Sequence, residues 1–286
     1  MTDFSLVPRL QKILKIGSIC SMSDFVKAKK QLGQHFLNDQ VIADNIVDAL
    51  LSYPIPNAIL EVGPGTGVLT SRLLSNGTGK EIWASEIDKE SIVYLQKHFP
   101  QLGNRLLDKS FLDLNFKDYF PNEFAVIGNF PYNISSQIVF KVLDNYTQIP
   151  VLVGMFQKEV AERIAAKPGN GDYGIITVLS QLYYSTEYLF TVPETVFIPP
   201  PKVKSGVIRM TRNENLPDVN IALLKKVVKT GFNQRRKKLR NAIAVFGLND
   251  DSLGRFASAR AEELSLNDFC ELTNLVEQSG YGKNSD

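Results

Sequence analysis

The chain has 286 residues, 44% of them hydrophobic and 22% charged, and a net charge of +2, the profile of a globular protein with room for one large domain and a smaller one. No apolar run approaches the roughly 20 residues of a membrane span, and the distant Cys20 and Cys270 form neither a disulfide framework nor a metal-ligand spacing, so a cytoplasmic protein without membrane contact is expected. The small total hides a segregation: residues 202–240 hold 12 Lys or Arg against Glu214 and Asp218, or +10, leaving −8 on the rest, which points to a polyanionic partner.

Residues 1–22 carry scattered basic and apolar positions without the apolar core or cleavage site of a secretory signal. With Met22 following, they read as a disordered tail or a mis-chosen start. Lys27, Lys29 and Lys30 then lead through a Gly-containing loop, Gln31 to Asp39, into an amphipathic helix carrying Val41, Ile42, Ile46, Val47, Leu50 and Leu51, with Asn38 or Asp39 as N-cap. From spacing alone His35 reads as a loop histidine, and with only His98 besides it no metal site is expected.

Ala58–Val62 reads as a strand, Gly63-Pro64-Gly65-Thr66-Gly67 as a tight turn and Val68–Leu74 as the helix beyond. Gly67 follows Gly65 by two places rather than the three of a dinucleotide fingerprint; the spacing resembles the E-x-G-x-G-x-G loop of S-adenosylmethionine-dependent methyltransferases, with Gly63 and Gly65 toward the cofactor. A second strand, Glu81–Ser85, ends in Glu86, placed to accept ribose hydroxyls, while Asp88 suits a helix cap. A third strand should end near Ser110, the preferred polar group for a cofactor adenine, with Asp108 and Asp113 as competitors. The apolar run Phe124–Gly128 then reads as a buried parallel strand whose carboxyl end is Asn129-Phe130-Pro131-Tyr132. An amide oxygen, a backbone carbonyl beside a proline and an aromatic plane suit the clamping of a flat heteroaromatic amine.

Val151–Met155 reads as a fifth strand, and Thr186–Val192 with Val203–Met210 as a closing hairpin, giving an α/β, Rossmann-like sheet of seven strands, one antiparallel. Between them, Gln157–Ala166 reads as a helix, whose Lys158 and Arg163 face either solvent or phosphate, and Lys167–Gly174 as a mobile loop near the site. Phe197 and the three prolines after it make a rigid, donor-poor edge. Residues 213–218 read as the boundary between a domain at 23–212 and a helical C-terminal domain at 213–286. In the latter, Leu224, Val227, Val228, Phe232, Leu239 and Ile243 trace one helical face broken near Gly231, and Arg235, Arg236, Lys237, Lys238 and Arg240 cluster outside it as candidate RNA-backbone contacts.

Taken together, Gly33 to Leu37, Glu61 to Gly67, Glu86, Asn129 to Tyr132, Gln157 to Val160, Phe197 to Val203 and Phe232 to Lys237 resemble the small-subunit ribosomal RNA adenine dimethyltransferases of the KsgA type. The resemblance spans about residues 25–280. It implies a class I methyltransferase fold and S-adenosylmethionine as cofactor, with contacts at His35, Leu37, Gly63, Glu86, Ser110 and Asn129; His35 and Ser110 depart from the residues usual in the family. It implies direct methyl transfer to an adenine amine held by the Asn129 oxygen and the carbonyl at Pro131, with Tyr132 or Phe130 stacked on the base. It further implies a monomer acting on two adjacent adenosines in the 3′-terminal hairpin loop of 16S rRNA, in small-subunit particles during their biogenesis. An Erm-type large-subunit rRNA methyltransferase and a non-catalytic assembly factor are the alternatives.

Overall fold

The computed structural model describes residues 26–281; the expected N-terminal extension, 1–22, lies outside the described residues. Among the described residues nine strands run in chain order: β1 (Phe36–Leu37), β2 (Ala58–Val62), β3 (Glu81–Glu86), β4 (Leu106–Asp108), β5 (Phe124–Asn129), β6 (Val151–Gln157), β7 (Tyr184–Val192), β8 (Phe197–Ile198) and β9 (Ser205–Arg212). Seven of them form one sheet in the order β4-β3-β2-β5-β6-β9-β7. The strands from β4 to β6 pair in parallel, and β9 runs antiparallel to both its neighbours.

Alternation along the central strands separates two cores. Ile59, Ile82, Ala125 and Ile127 point to α1 (Gln40–Leu51) and α2 (Val68–Ser75), which contribute Ile46, Leu50, Leu69 and Leu73. Leu60, Val62 and Val126 point the other way, toward α4 (Ser135–Asp144), α5 (Lys158–Ile164) and α6 (Ile175–Tyr183). α1 begins at Asp39, whose carboxylate accepts Ile42 N–H at 3.0 Å, and α3 (Lys89–His98) begins at Asp88. Both caps satisfy donors that a first helical turn leaves open.

The second core does not stop at the sheet domain. It continues without interruption into α7 (Ile221–Asn233), the short α8 (Leu239–Ala242) and α9 (Asp250–Leu253), and α10 (Leu266–Gln278). α6 is the shared layer: Ile176 to Ser180, Leu182 and Tyr183 are all buried. The segment 167–174, whose residues Lys167 to Gly171 are exposed, is tied to the helical unit at three points. Tyr173 is wholly buried with its ring 6.2 Å from that of Phe232, Gly169 N–H donates to Glu262 C=O at 2.8 Å, and Arg235 bonds both Glu262 and Gly171 C=O. The expected break at Gly231 also moves. Gly231 lies inside α7, where a Cβ would come 3.4 Å from Ala261 and 3.5 Å from Leu239, and the helix ends at Asn233 instead.

A two-residue ladder pairs β1 with β8, Phe36 opposite Ile198 and Leu37 opposite Phe197. It fastens the His35 segment across the carboxyl ends of the sheet strands.

Candidate active site

At that edge the glycine turn, the end of β3 and the tetrapeptide after β5 line one cleft with the segment that precedes β1. Gly65 takes φ 57°, and the Phe36 ring lies where its Cβ would be, at 2.7 Å. No side chain fits there, so the glycine lets the Phe36 ring pack directly on the turn.

Gly65 N–H donates to Glu86 Oε2 at 3.0 Å, and Glu86 Oε1 accepts from Ile87 N–H at 2.8 Å and Asp88 N–H at 2.9 Å. A carboxylate offers about four acceptor sites, so one remains for a ligand hydroxyl. Burial raises the Glu86 carboxyl above the ordinary carboxylate value, and these three bonds pull it back only in part. Asp88 does different work. Burial alone would raise it, but bonds from Lys29, Gln34 and Ser91 outweigh that and hold it below the usual value. It thereby moors the residue 29–34 segment to the start of α3. Glu61 is buried against Thr70 Oγ1 at 2.6 Å, and desolvation pushes it up to about 8. It is therefore mostly neutral at pH 7.

In the clamp, Asn129 Nδ2 donates to His35 C=O at 2.9 Å. A carbonyl can only accept, which fixes the amide's orientation and leaves Oδ1 as its free acceptor. Pro131 C=O already accepts Ile134 N–H at 3.2 Å, whereas Phe130 C=O, on the amino side of the proline, has no backbone donor among the described residues. The Tyr132 hydroxyl is 2.6 Å from Ser205 Oγ, and its ring stacks on His35 at 5.4 Å and 30°. Burial raises this phenol, with Ser205 opposing, so it stays neutral. The His35 ring in turn donates from Nδ1 to Pro199 C=O at 2.8 Å.

Phe130 departs from the expected stacking role. Its ring is 1% exposed, edge-on to Phe156, in a slot that exists because residues 128 and 154 are glycines; a Cβ on Gly154 would sit 2.0 Å from it. An aromatic with both faces in the core has none for a base, which leaves Tyr132. Leu37 is buried, so its side chain belongs to the core and only its main chain is left for a ligand. Ser110 lies two residues past β4 and spends an acceptor site on Leu112 N–H at 3.2 Å, whereas the register sets Asp108 beside Glu86. Asp113 is exposed on the short 3-10 turn that follows. Sequence reasoning passed over Ser205; a lone serine opening a strand carries no local signal of what it touches.

The basic segment divides. Arg209 and Arg212 lie on β9, paired with Glu187 at 3.0 Å and Glu123 at 2.6 Å. Arg235 pairs with Glu262 at 2.6 Å and Arg240 with Asp250. Arg236, Lys237 and Lys238 are exposed on the turn between α7 and α8. On α5, Lys158 and Arg163 pair with Glu162 and Glu159.

The sequence profile described as ribosomal RNA adenine dimethylase matches residues 25–278. The ribosomal RNA small subunit methyltransferase A of Cytophaga hutchinsonii is 55% identical over 88% of this chain and 98% of its own, and that of Flavobacterium johnsoniae 51% over 89% and 98%. Among solved structures, a dimethyladenosine transferase from Plasmodium falciparum superposes with a TM-score of 0.73 at 26% identity, covering 86% of this chain and 98% of that one. The 23S rRNA methyltransferase ErmE shares the fold, with a TM-score of 0.63 at 23% identity, covering 85% and 100%. With a matching profile across nearly all of its length, this chain belongs to the ribosomal RNA adenine dimethylase family.

Proposed function

We propose that this protein dimethylates the exocyclic amines of two adjacent adenosines in the 3′-terminal hairpin loop of 16S rRNA, as a cytoplasmic monomer acting on small-subunit particles. The observation that carries the chemistry is the fixed orientation of Asn129, whose Nδ2 is committed to His35 C=O so that Oδ1 faces a donor. S-adenosylmethionine fits the cleft beside it, which Gly63 and Gly65 line and where an anchored Glu86 has one acceptor site to spare for a ribose hydroxyl. When bound, it supplies a methyl group already activated by its sulfonium.

The chain's task is then to present the amine. An adenine amine is a weak nucleophile because its lone pair is delocalised into the ring. Asn129 Oδ1 and Phe130 C=O, each accepting one N–H, favour a more tetrahedral nitrogen, and Tyr132 holds the extruded base by stacking. Orientation and fixed dipoles supply the rate, without a strong general base. After one transfer a single N–H remains for these acceptors, so the same residues can present the amine a second time.

Identity of 51–55% to proteins named for the small subunit favours this substrate over a large-subunit one, and the complete clamp favours an enzyme over an assembly factor. Mapping methylated adenosines in cells with and without the gene tests the reading. Paired dimethyladenosines in 16S rRNA that vanish on deletion are expected; 16S rRNA unchanged by deletion refutes it.

A further inference from the structure

The strand order decides where each part of a bound S-adenosylmethionine must lie. Its sulfonium methyl has to reach Asn129 at the end of β5, and its ribose meets Glu86 at the end of β3, two places away in the order β4-β3-β2-β5. The base hangs on the far side of the ribose from the sulfonium, so it comes to the end of β4, the edge strand. Ile87, one residue past Glu86, lines the same cleft with its side chain 48% exposed, a surface for the flat face of a purine. The edge of that purine therefore lies beyond the register pair of Glu86 and Asp108, level with residues 109 and 110.

Of these two, Ser110 alone has a side chain to spare. Lys109 C=O accepts Ser85 Oγ at 2.7 Å, and Lys109 Nζ donates to the Tyr119 hydroxyl at 2.9 Å. Ser110 is half-buried, and its Oγ accepts Leu112 N–H at 3.2 Å, which leaves one acceptor site, while its own O–H has no acceptor among the described residues. The group that meets C6 of the purine can thus either accept or donate. A carboxylate in the same place could only accept.

We infer that the Ser110 hydroxyl makes the cofactor site tolerant of the substituent at C6 of the purine, so that the protein binds 6-oxopurine (inosyl) forms of the cofactor nearly as well as the 6-amino form. The inference rests on the seating of S-adenosylmethionine described above and narrows how its base is read. Toward adenine, Ser110 Oγ accepts from the amine. Toward hypoxanthine the same hydroxyl turns about its Cβ–Oγ bond and donates to the 6-oxygen, and no backbone has to move for the exchange. Discrimination between the two bases needs a group that is left unpaired by the wrong one. A serine in this position is paired by both.

The test is calorimetric titration of the full-length protein with S-adenosylhomocysteine and with its deaminated counterpart, S-inosylhomocysteine, in wild type, Ser110→Asp and Asp108→Asn. Aspartate caps a helical turn as well as serine does, so Ser110→Asp keeps the Leu112 bond and changes only what faces the purine. The quantity read is the ratio of the two dissociation constants, in which contacts made by other residues cancel between variants. Wild type should hold this ratio within about tenfold, the worth of one neutral hydrogen bond. Ser110→Asp should widen it by roughly 10- to 100-fold, because the carboxylate gains on the amine and faces the 6-oxygen as a second acceptor. Asp108→Asn should leave it unchanged. A wild-type ratio above about tenfold, or a ratio that Ser110→Asp does not move, overturns the inference while S-adenosylhomocysteine binding upholds the cofactor. A ratio that shifts in Asp108→Asn alone also overturns it, by giving the purine edge to Asp108. Wild type that binds neither nucleoside overturns the cofactor reading and the inference with it.

Discussion

Replacing Glu86 with Gln separates the two tasks its carboxylate performs. Three backbone donors occupy three of about four acceptor sites, two on Oε1 and one on Oε2. A glutamine keeps its oxygen best where two donors converge, at Ile87 and Asp88, which turns its NH2 against Gly65 N–H. The free acceptor site loses its charge, and one charge-assisted hydrogen bond to the ribose is lost with it. At about 1.5–3 kcal/mol for such a bond, cofactor affinity should fall by roughly 10- to 150-fold. Calorimetric titration with S-adenosylmethionine reads this, and a thermal melt of the free protein reads the Gly65 contact independently. A lowered melting temperature with cofactor affinity within twofold of wild type would show that Glu86 only braces the glycine turn, and the ribose assignment would fall.

Asn129→Ala should fold normally and lose roughly 10²–10³ in single-turnover methyl transfer, the effect of removing one preorganised partner; wild-type turnover would remove the amide from the mechanism. Ser205→Ala and Tyr132→Phe should each slow transfer, and the double variant should be no slower than the worse single one, because both delete the same 2.6 Å contact; additive losses would separate the residues. Glu61 is raised from 4.5 to about 8, so its contribution to stability is fully present below about pH 4.5 and is lost as pH rises through about 8. Denaturant titrations should show the wild type losing stability relative to Glu61→Gln across that window, by at most about 1.4 kcal/mol per pH unit, and parallel profiles would show that the buried carboxyl is ionised.

What the sequence made legible were short-range patterns. The strand, glycine turn and helix of residues 58–75 and the strand leading into Asn129 are contiguous runs whose residue types decide their own geometry. α6 was not, because its short polar stripe is itself packed away, with Thr177 and Ser180 buried beside their apolar neighbours, so no solvent-facing side marks the helix. The 167–174 run, rich in glycine and polar residues, gives no sign that its one tyrosine is buried against the helical unit. Arg235 and Arg240 look free in sequence because Glu262 and Asp250 lie 27 and 10 residues further on. Phe130 and Tyr132 are equivalent as letters, and only the glycines at 128 and 154, on two strands brought side by side, send one ring inward.

The core shared through α6, with Arg235 closing the same junction, has a mechanical meaning. Two lobes on a hinge would adjust to whatever RNA they met; two lobes grown into one body keep the span between the Arg236–Lys238 turn and Asn129 constant. For a ribosomal RNA adenine dimethyltransferase, such a body would act as a caliper. Any substrate that reached from one lobe to the other would be measured against that fixed opening before it met the cleft.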